Sequence, residues 1–168
     1  MKKLIITADD YGMSRAVNDA IDAGIEAGLI TSTNVMTNMP LYKEALKLKD
    51  LEGVSVGIHW VLACGRPVLP AAEVPTLVQE NGEFYPYPVF RERLRKRLIS
   101  FTDIKKELLA QYKLYYDLMG QPDYWNTHEN THVEFGIYGL FVDTAAELGI
   151  NKMEKPSANL CARKQCVP

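Results

Sequence analysis

Lys3-Leu4-Ile5-Ile6-Thr7-Ala8, followed at once by Asp9-Asp10, is a compact apolar run closed by two acids. An apolar run of that length reads as a buried first strand ending at a polar rim. Outward from it the chain alternates. Ser14 offers an N-cap oxygen, and Ala16, Val17, Ala20, Ile21 and Gly24 keep helical spacing up to Gly28, a plausible end residue. Ile30 to Met36 reads as a second strand, Pro40 to Leu48 as a helix, and Gly53 to Ile58 as a third strand ending at His59. Thr102 or Asp103 caps a further helix with the apolar stripe Ile104, Leu108, Tyr112, Tyr115 and Met119, closed by Gly120. Tyr124 to Thr127 is a short strand delivering His128, Ile137 to Leu148 an amphipathic helix before Gly149, and Ile150 to Met153 a last short strand. Strands alternating with helices predict an α/β fold around a mostly parallel sheet.

Parallel α/β folds gather their chemistry at the C-terminal ends of strands. All three histidines, His59, His128 and His132, fall where a predicted strand runs out, as do Asp9 and Asp10. Histidine is the commonest metal-binding side chain, so this placement points to a metal site. Each piece also has a plainer reading. Asp9-Asp10 suits a turn that caps the next helix, and a lone His59 after an apolar strand suits a hydrogen-bonded structural residue. His128 and His132, four apart in THENTH, could share one face of a helix and bind a metal together. Thr127 and Thr131 disfavour that helix, so an extended or turning loop is expected, with the two histidines doing separate jobs. One Asp and two His would hold a divalent ion and leave positions for water and substrate. The oxygen and nitrogen mixture does not choose sharply among Mg, Zn, Mn, Co and Ni; Mg or Zn is the expectation.

With 168 residues and a 47% hydrophobic content, a single domain over 1–168 is expected, able to bury ~70% of the surface its unfolded chain exposes. A formal net charge of -2 carries no footprint for nucleic acid. The basic run Arg91 to Arg97 is broken by Glu92 and Leu94 and reads as a solvated helix face. Three cysteines without CxxC spacing imply neither a disulfide framework nor a zinc ribbon. The N-terminal apolar run is shorter than the ~7 residues of a signal-peptide core, and no window approaches the ~18 apolar residues of a membrane span. A cytoplasmic protein without membrane contact is the expectation. The segment from Ala63 to Ser100, with five prolines and an Asn81-Gly82 turn signal, reads as a lid or binding loop, or as an insertion with a hairpin.

Taken together, ADDYGMS, the helix residues Asn18 and Ile21, GLITSTN at 28–34, GIH at 57–59, NGEF at 81–84 and THENTH resemble the YdjC-like carbohydrate deacetylases, which include the chitooligosaccharide deacetylases. Motif order and spacing match up to about residue 150. The resemblance implies a distorted TIM-like (β/α) barrel of the polysaccharide-deacetylase type, with a divalent metal at its C-terminal rim. It also implies that Asp10, His59 and His128 are the metal ligands and that Asp9 is the base that deprotonates water. Glu107 and Gln111 match a recurrent pattern, as substrate-site residues or as a helix face.

Departures accompany the match. Asn126 stands where the family commonly has Asp, and Asn130 where it has a middle His; changes beside a ligand can cost roughly 10–100-fold in affinity or activity. A late His-Pro-Gly motif has no counterpart, and 157–168 looks atypical, as if the chain stopped early and left the barrel incomplete. Exposed strand edges would then need cover, as in a homo-oligomer. The resulting expectation is a hydrolase removing acetyl groups from N-acetylated sugars such as N-acetylglucosamine oligosaccharides. His132 is the visible proton donor to the leaving amine, and Trp60, Phe84, Tyr85 and Tyr87 are candidates to stack on sugar rings. The rival readings are a metal-dependent amidase or phosphoesterase, and an inactive truncated homologue that binds metal or sugar.

Overall fold

Backbone pairing begins where the apolar run meets the acids. In the computed structural model, which describes residues 4–154, strand β1 spans Thr7–Tyr11, so Asp9 and Asp10 lie inside it and not beyond its end. Leu4, Ile5 and Ile6 are exposed on its outer side. Strands β2 (Ser32–Val35), β3 (Ser55–Trp60) and β4 (Trp125–Thr127) follow, each shorter than or offset from its predicted run. All neighbours pair in parallel in the order β1-β2-β3-β4. An order that never reverses is an arc of a (β/α) barrel; a doubly wound sheet would switch direction. The expected final strand is reduced to one residue, Met153, bridging Trp125.

Helix α1 (Arg15–Glu26) starts as the sequence predicts: Ser14 Oγ accepts from Val17 N, and Gly28 takes the left-handed conformation after its end. The predicted helix after Pro40 is a tighter 3-10 segment over Tyr42–Leu48, with no side-chain cap at its start. The basic run belongs to helix α2 (Tyr87–Arg95). Helix α3 (Phe101–Met119) is capped by Ser100 and not by Thr102 or Asp103. The Asp103 carboxylate is used elsewhere, accepting from the backbone and hydroxyl of Thr76. Helix α4 (Tyr138–Glu147) ends at the expected Gly149. Among the described residues no helix is long and apolar enough to cross a membrane. Cys161 and Cys166 and the atypical stretch 157–168 lie outside the described residues.

The core fills the space between sheet and helices. Trp60 at the end of β3 and Trp125 at the start of β4 pack against each other and against Phe141 of α4, and Ile104, Leu108 and Tyr115 of α3 close over them. Each such apolar side chain contributes about 1.5–3 kcal/mol when fully buried. Gly57 has a different task. A Cβ there would lie 2.7 Å from the Tyr124 ring, which crosses β3 so that its hydroxyl donates to Thr33 O and accepts from Ser32 Oγ. One phenol therefore ties β2 to the entry of β4. Gly57→Ala should displace that ring and lower stability by about 1–3 kcal/mol, measured by denaturant unfolding; an unchanged midpoint would contradict the tie.

Candidate metal centre

In a regular strand adjacent side chains point to opposite faces, so Asp9 and Asp10 should diverge. They do not, because Asp10 takes a left-handed conformation (φ 73) and the β1–β2 register slips between Ala8 and Tyr11. The kink turns the Asp10 carboxylate inward. The following turn is locked by Asn18, whose Oδ1 accepts from Gly12 N at 2.7 Å while its Nδ2 donates to Glu44. His59 is the penultimate residue of β3 and buried, whereas His128 is the first residue past β4. Glu129 and Asn130 after it are both left-handed (φ 57 and 50), and this breaks any helix through THENTH. The turning reading of that block is the one the backbone adopts. Non-glycine residues held this way cost of order 1–3 kcal/mol each and cluster at functional sites.

Three ligand atoms converge. Asp10 Oδ1 lies 3.1 Å from His59 Nε2 and 2.9 Å from His128 Nδ1, and one atom from each residue falls within 4.8 Å of the others. Ligands about 2.1 Å from a cation stand ~3 Å apart along an octahedral edge, so this donor set fits a divalent ion. The rings of His59 and His128 are nearly perpendicular at 5.6 Å. His59 is closed off while Asp10 keeps 30% of its side chain exposed, so the site opens toward solvent on one side.

Charge within the trio is strongly coupled. Burial pushes the Asp10 carboxyl up, but hydrogen bonds and charge from His128 and His59 outweigh it and hold it well below the usual carboxylate range. For His128 burial acts downward, yet the Asp10 bond and charge, with the charges of Glu129 and Asp9, leave the imidazole above its ordinary value.

Asp9 is exposed. Its Oδ1 accepts from Asn34 Nδ2 at 2.5 Å and Asn126 Nδ2 at 3.2 Å, and its Oδ2 takes no hydrogen bond from the described residues. Asn126 also contacts His59 Nδ1 at 2.5 Å and donates to Glu154 Oε2 at 2.6 Å. Asn34, the last residue of GLITSTN, and Glu154, just past the last predicted strand, carry no assigned role in the sequence and join the site here. An Asn inside a buried strand was the available signal for the first. Burial and the Asp9 charge push the Glu154 carboxyl up. Burial, then the charges of Asp10 and Glu129, push up the Cys64 thiol.

The remaining candidates sit apart from the trio. His132 is buried, with Nδ1 on Thr127 Oγ1 at 2.7 Å and its ring against Trp125, Tyr138 and Phe141. Trp60 is fully buried, and its Nε1 donates to Leu108 O. Tyr85 is half-buried under the Arg93 guanidinium, 4.2 Å from its ring centre. Glu107 and Gln111 are buried on α3 and face the chain beyond β3. Glu107 accepts from Val68 N, Leu69 N and Gln111 Nε2, and Gln111 exchanges two bonds with the backbone of Val61. They clamp both ends of the 61–69 loop.

The family model described as YdjC-like protein matches residues 3–167. The chain belongs to the YdjC-like family. A carbohydrate deacetylase of Geobacillus stearothermophilus is 39% identical over 85% of this chain and 55% of its own length. A chitooligosaccharide deacetylase of Salmonella paratyphi B is 30% identical over 88% of this chain and 57% of its own. The chain thus spans about half the length of these YdjC-like relatives. A crystal structure from Enterococcus faecalis V583, described as a candidate cellobiose-phosphate cleavage protein, superposes with a TM-score of 0.82 at 27% identity, covering 94% of this chain and 61% of that one. The fold is accordingly α/β of the distorted TIM-like barrel type, and the four described strands are part of such a barrel.

Two outcomes follow from this geometry. A raised His128 contributes stability to the metal-free protein below about pH 6.5 that is lost as pH rises through its higher folded value. An ion must displace that proton. Stabilisation by an added divalent cation should therefore grow as pH rises from about 6.5, with proton release measurable by calorimetry in buffers of different ionisation enthalpy. Stabilisation independent of pH would contradict the coupling. In Glu107→Gln one part-buried backbone N–H, of Val68 or Leu69, loses its acceptor, and unfolding should become easier by about 0.5–1.5 kcal/mol in a denaturant titration.

Proposed function

We propose that the protein is a metal-dependent carbohydrate deacetylase that removes acetyl groups from N-acetylated sugars such as N-acetylglucosamine oligosaccharides. The observation carrying this reading is the convergence of Asp10, His59 and His128 from three strand ends within ligand distance. The names of the relatives support the substrate class. A divalent cation held by Asp10, His59 and His128, with Mg and Zn the first to test, would supply Lewis acidity, lowering the pKa of water and polarising a carbonyl.

The chain's own residues supply the rest. Asp9 stands beside the trio with one oxygen tied down by Asn34 and Asn126 and the other exposed, the posture of a general base. It takes a proton from water as the water oxygen bonds to the acetyl carbon. The C–N bond then breaks, releasing acetate and the amine. The same carboxyl, now protonated, can return its proton to the leaving nitrogen. We assign His132 to supporting the 128–133 turn from within its aromatic enclosure, and Trp60 to the core. Glu107 and Gln111 shape the 61–69 loop and so serve the substrate indirectly. Tyr85 and Tyr87 are the candidates to meet a sugar ring.

Asp9→Asn should reduce kcat by about 10²–10⁴-fold with metal content unchanged, whereas His128→Ala should lose metal and activity together. Acetate release from N-acetylglucosamine oligosaccharides, with elemental analysis of each variant, checks both. Activity near the parent level in both variants would sink the mechanism. A phosphorylated-disaccharide arm tests the phosphoesterase alternative, which the Enterococcus faecalis relative raises: phosphate release without acetate release would replace the deacetylase reading.

A further inference from the structure

Asn126 is bonded on every side, and the bonds decide which way its amide faces. Its Nδ2 carries two hydrogens, and two carboxylates stand before it, Glu154 Oε2 at 2.6 Å and Asp9 Oδ1 at 3.2 Å. Carboxylates accept and do not donate when ionised, so the amide nitrogen must face them. Its Oδ1 then faces His59 Nδ1 at 2.5 Å. A carbonyl oxygen can only accept, so the proton on His59 sits on Nδ1. In the neutral ring the other nitrogen, Nε2, then carries the lone pair, 3.1 Å from Asp10 Oδ1. Two electron-rich atoms at that separation repel unless a positive charge lies between them, a proton in the metal-free protein or a cation that takes its place.

We propose that Asn126, aimed by Glu154 and Asp9, is a positioning residue that commits His59 Nε2 to the cation. Glu154 is held for this task by its backbone, whose N–H donates to Trp125 O. His59 and Asn126 are register partners on β3 and β4, so the contact is built into the sheet. An aspartate at 126 could accept from His59 as well, but it could donate to neither Asp9 nor Glu154. The neutral amide satisfies all three groups at once and adds no third negative charge beside them. Reversing the amide would place Nδ2 against His59, move the imidazole proton to Nε2, and close that nitrogen to a metal.

The inference rests on the metal reading of the trio and not on the reaction catalysed. Zn²⁺ titrated into the metal-free full chain by calorimetry gives the first readout. Asn126→Ala should weaken binding by about 10–100-fold, and Asn126→Asp, which keeps an acceptor for His59, should recover most of it. Glu154→Leu should fall between parent and Asn126→Ala, while Glu154→Gln, able to accept from the amide through its own carbonyl, should stay near the parent. The second readout is the imidazole Nδ1–H proton resonance of His59 in the zinc-loaded protein: sheltered from exchange in the parent and in Asn126→Asp, and lost in Asn126→Ala. Parent-like affinity and resonance in Asn126→Ala, or equal losses in Asn126→Ala and Asn126→Asp, overturn the proposal. Failure of the parent itself to bind Zn²⁺ or any other divalent ion overturns instead the reading of the trio as a metal site.

Discussion

One carboxylate oxygen holds the rim of this sheet together. Asp10 Oδ1 meets an imidazole from β3 and another from the end of β4, residues 49 and 118 positions away along the chain. The contact exists only because the backbone at Asp10 turns left-handed and breaks the alternation of β1. That conformation is unfavourable for most side chains, though Asp tolerates it better than most. The surroundings that enforce it are specific: Asn34 takes the Asp10 N–H, and Asn18 takes the Gly12 N–H one turn further on. Among the described residues, three of the five left-handed non-glycine positions, Asp10, Glu129 and Asn130, lie at this rim, and the other two, Asp50 and Arg97, lie elsewhere.

Around that point the structure is layered by burial. Two asparagines, Asn34 and Asn126, stand between the acids and the apolar interior and satisfy carboxylate and imidazole groups that would otherwise be costly so far from water. Beneath them come Trp60 and Trp125 with His132 against the latter, and then the helices. A histidine at the rim and a histidine four residues later therefore live in opposite environments. His128 takes a carboxylate partner near solvent, while His132 packs among rings.

Much of this was legible in the residues themselves. Acids and histidines at three strand ends are rare enough in composition to stand out, and the βα alternation set the sheet direction. Ser14, Gly28, Gly120 and Gly149 marked helix boundaries because capping is local chemistry. What failed was non-local. The start of β1 depends on its pairing with β2, which apolar content alone does not report. Ser100 displaced Asp103 as a cap because Thr76, distant in sequence, claimed the acid. Glu154 could not be seen as part of the site, since only the bridge of Met153 to Trp125 brings it there. The turning path of THENTH was expected from its threonines, but spacing says nothing of the two left-handed residues, Glu129 and Asn130, that make the turn. Helix α2 was legible only as a basic face, although Pro88 in its first turn was a usable start signal.

The clamp of Glu107 and Gln111 on the 61–69 loop has an evolutionary corollary. Those bonds are made to backbone atoms of Val61, Val68 and Leu69, so they hold the path of the loop whatever side chains it carries in between. Between the clamped ends Leu62 and Ala63 are fixed by the core and Gly65 by its left-handed backbone, so the exposed Arg66 is where side-chain chemistry can change while the trace is preserved. A change of surface chemistry has, at that exposed tip, a place to occur without unfolding the scaffold beneath it.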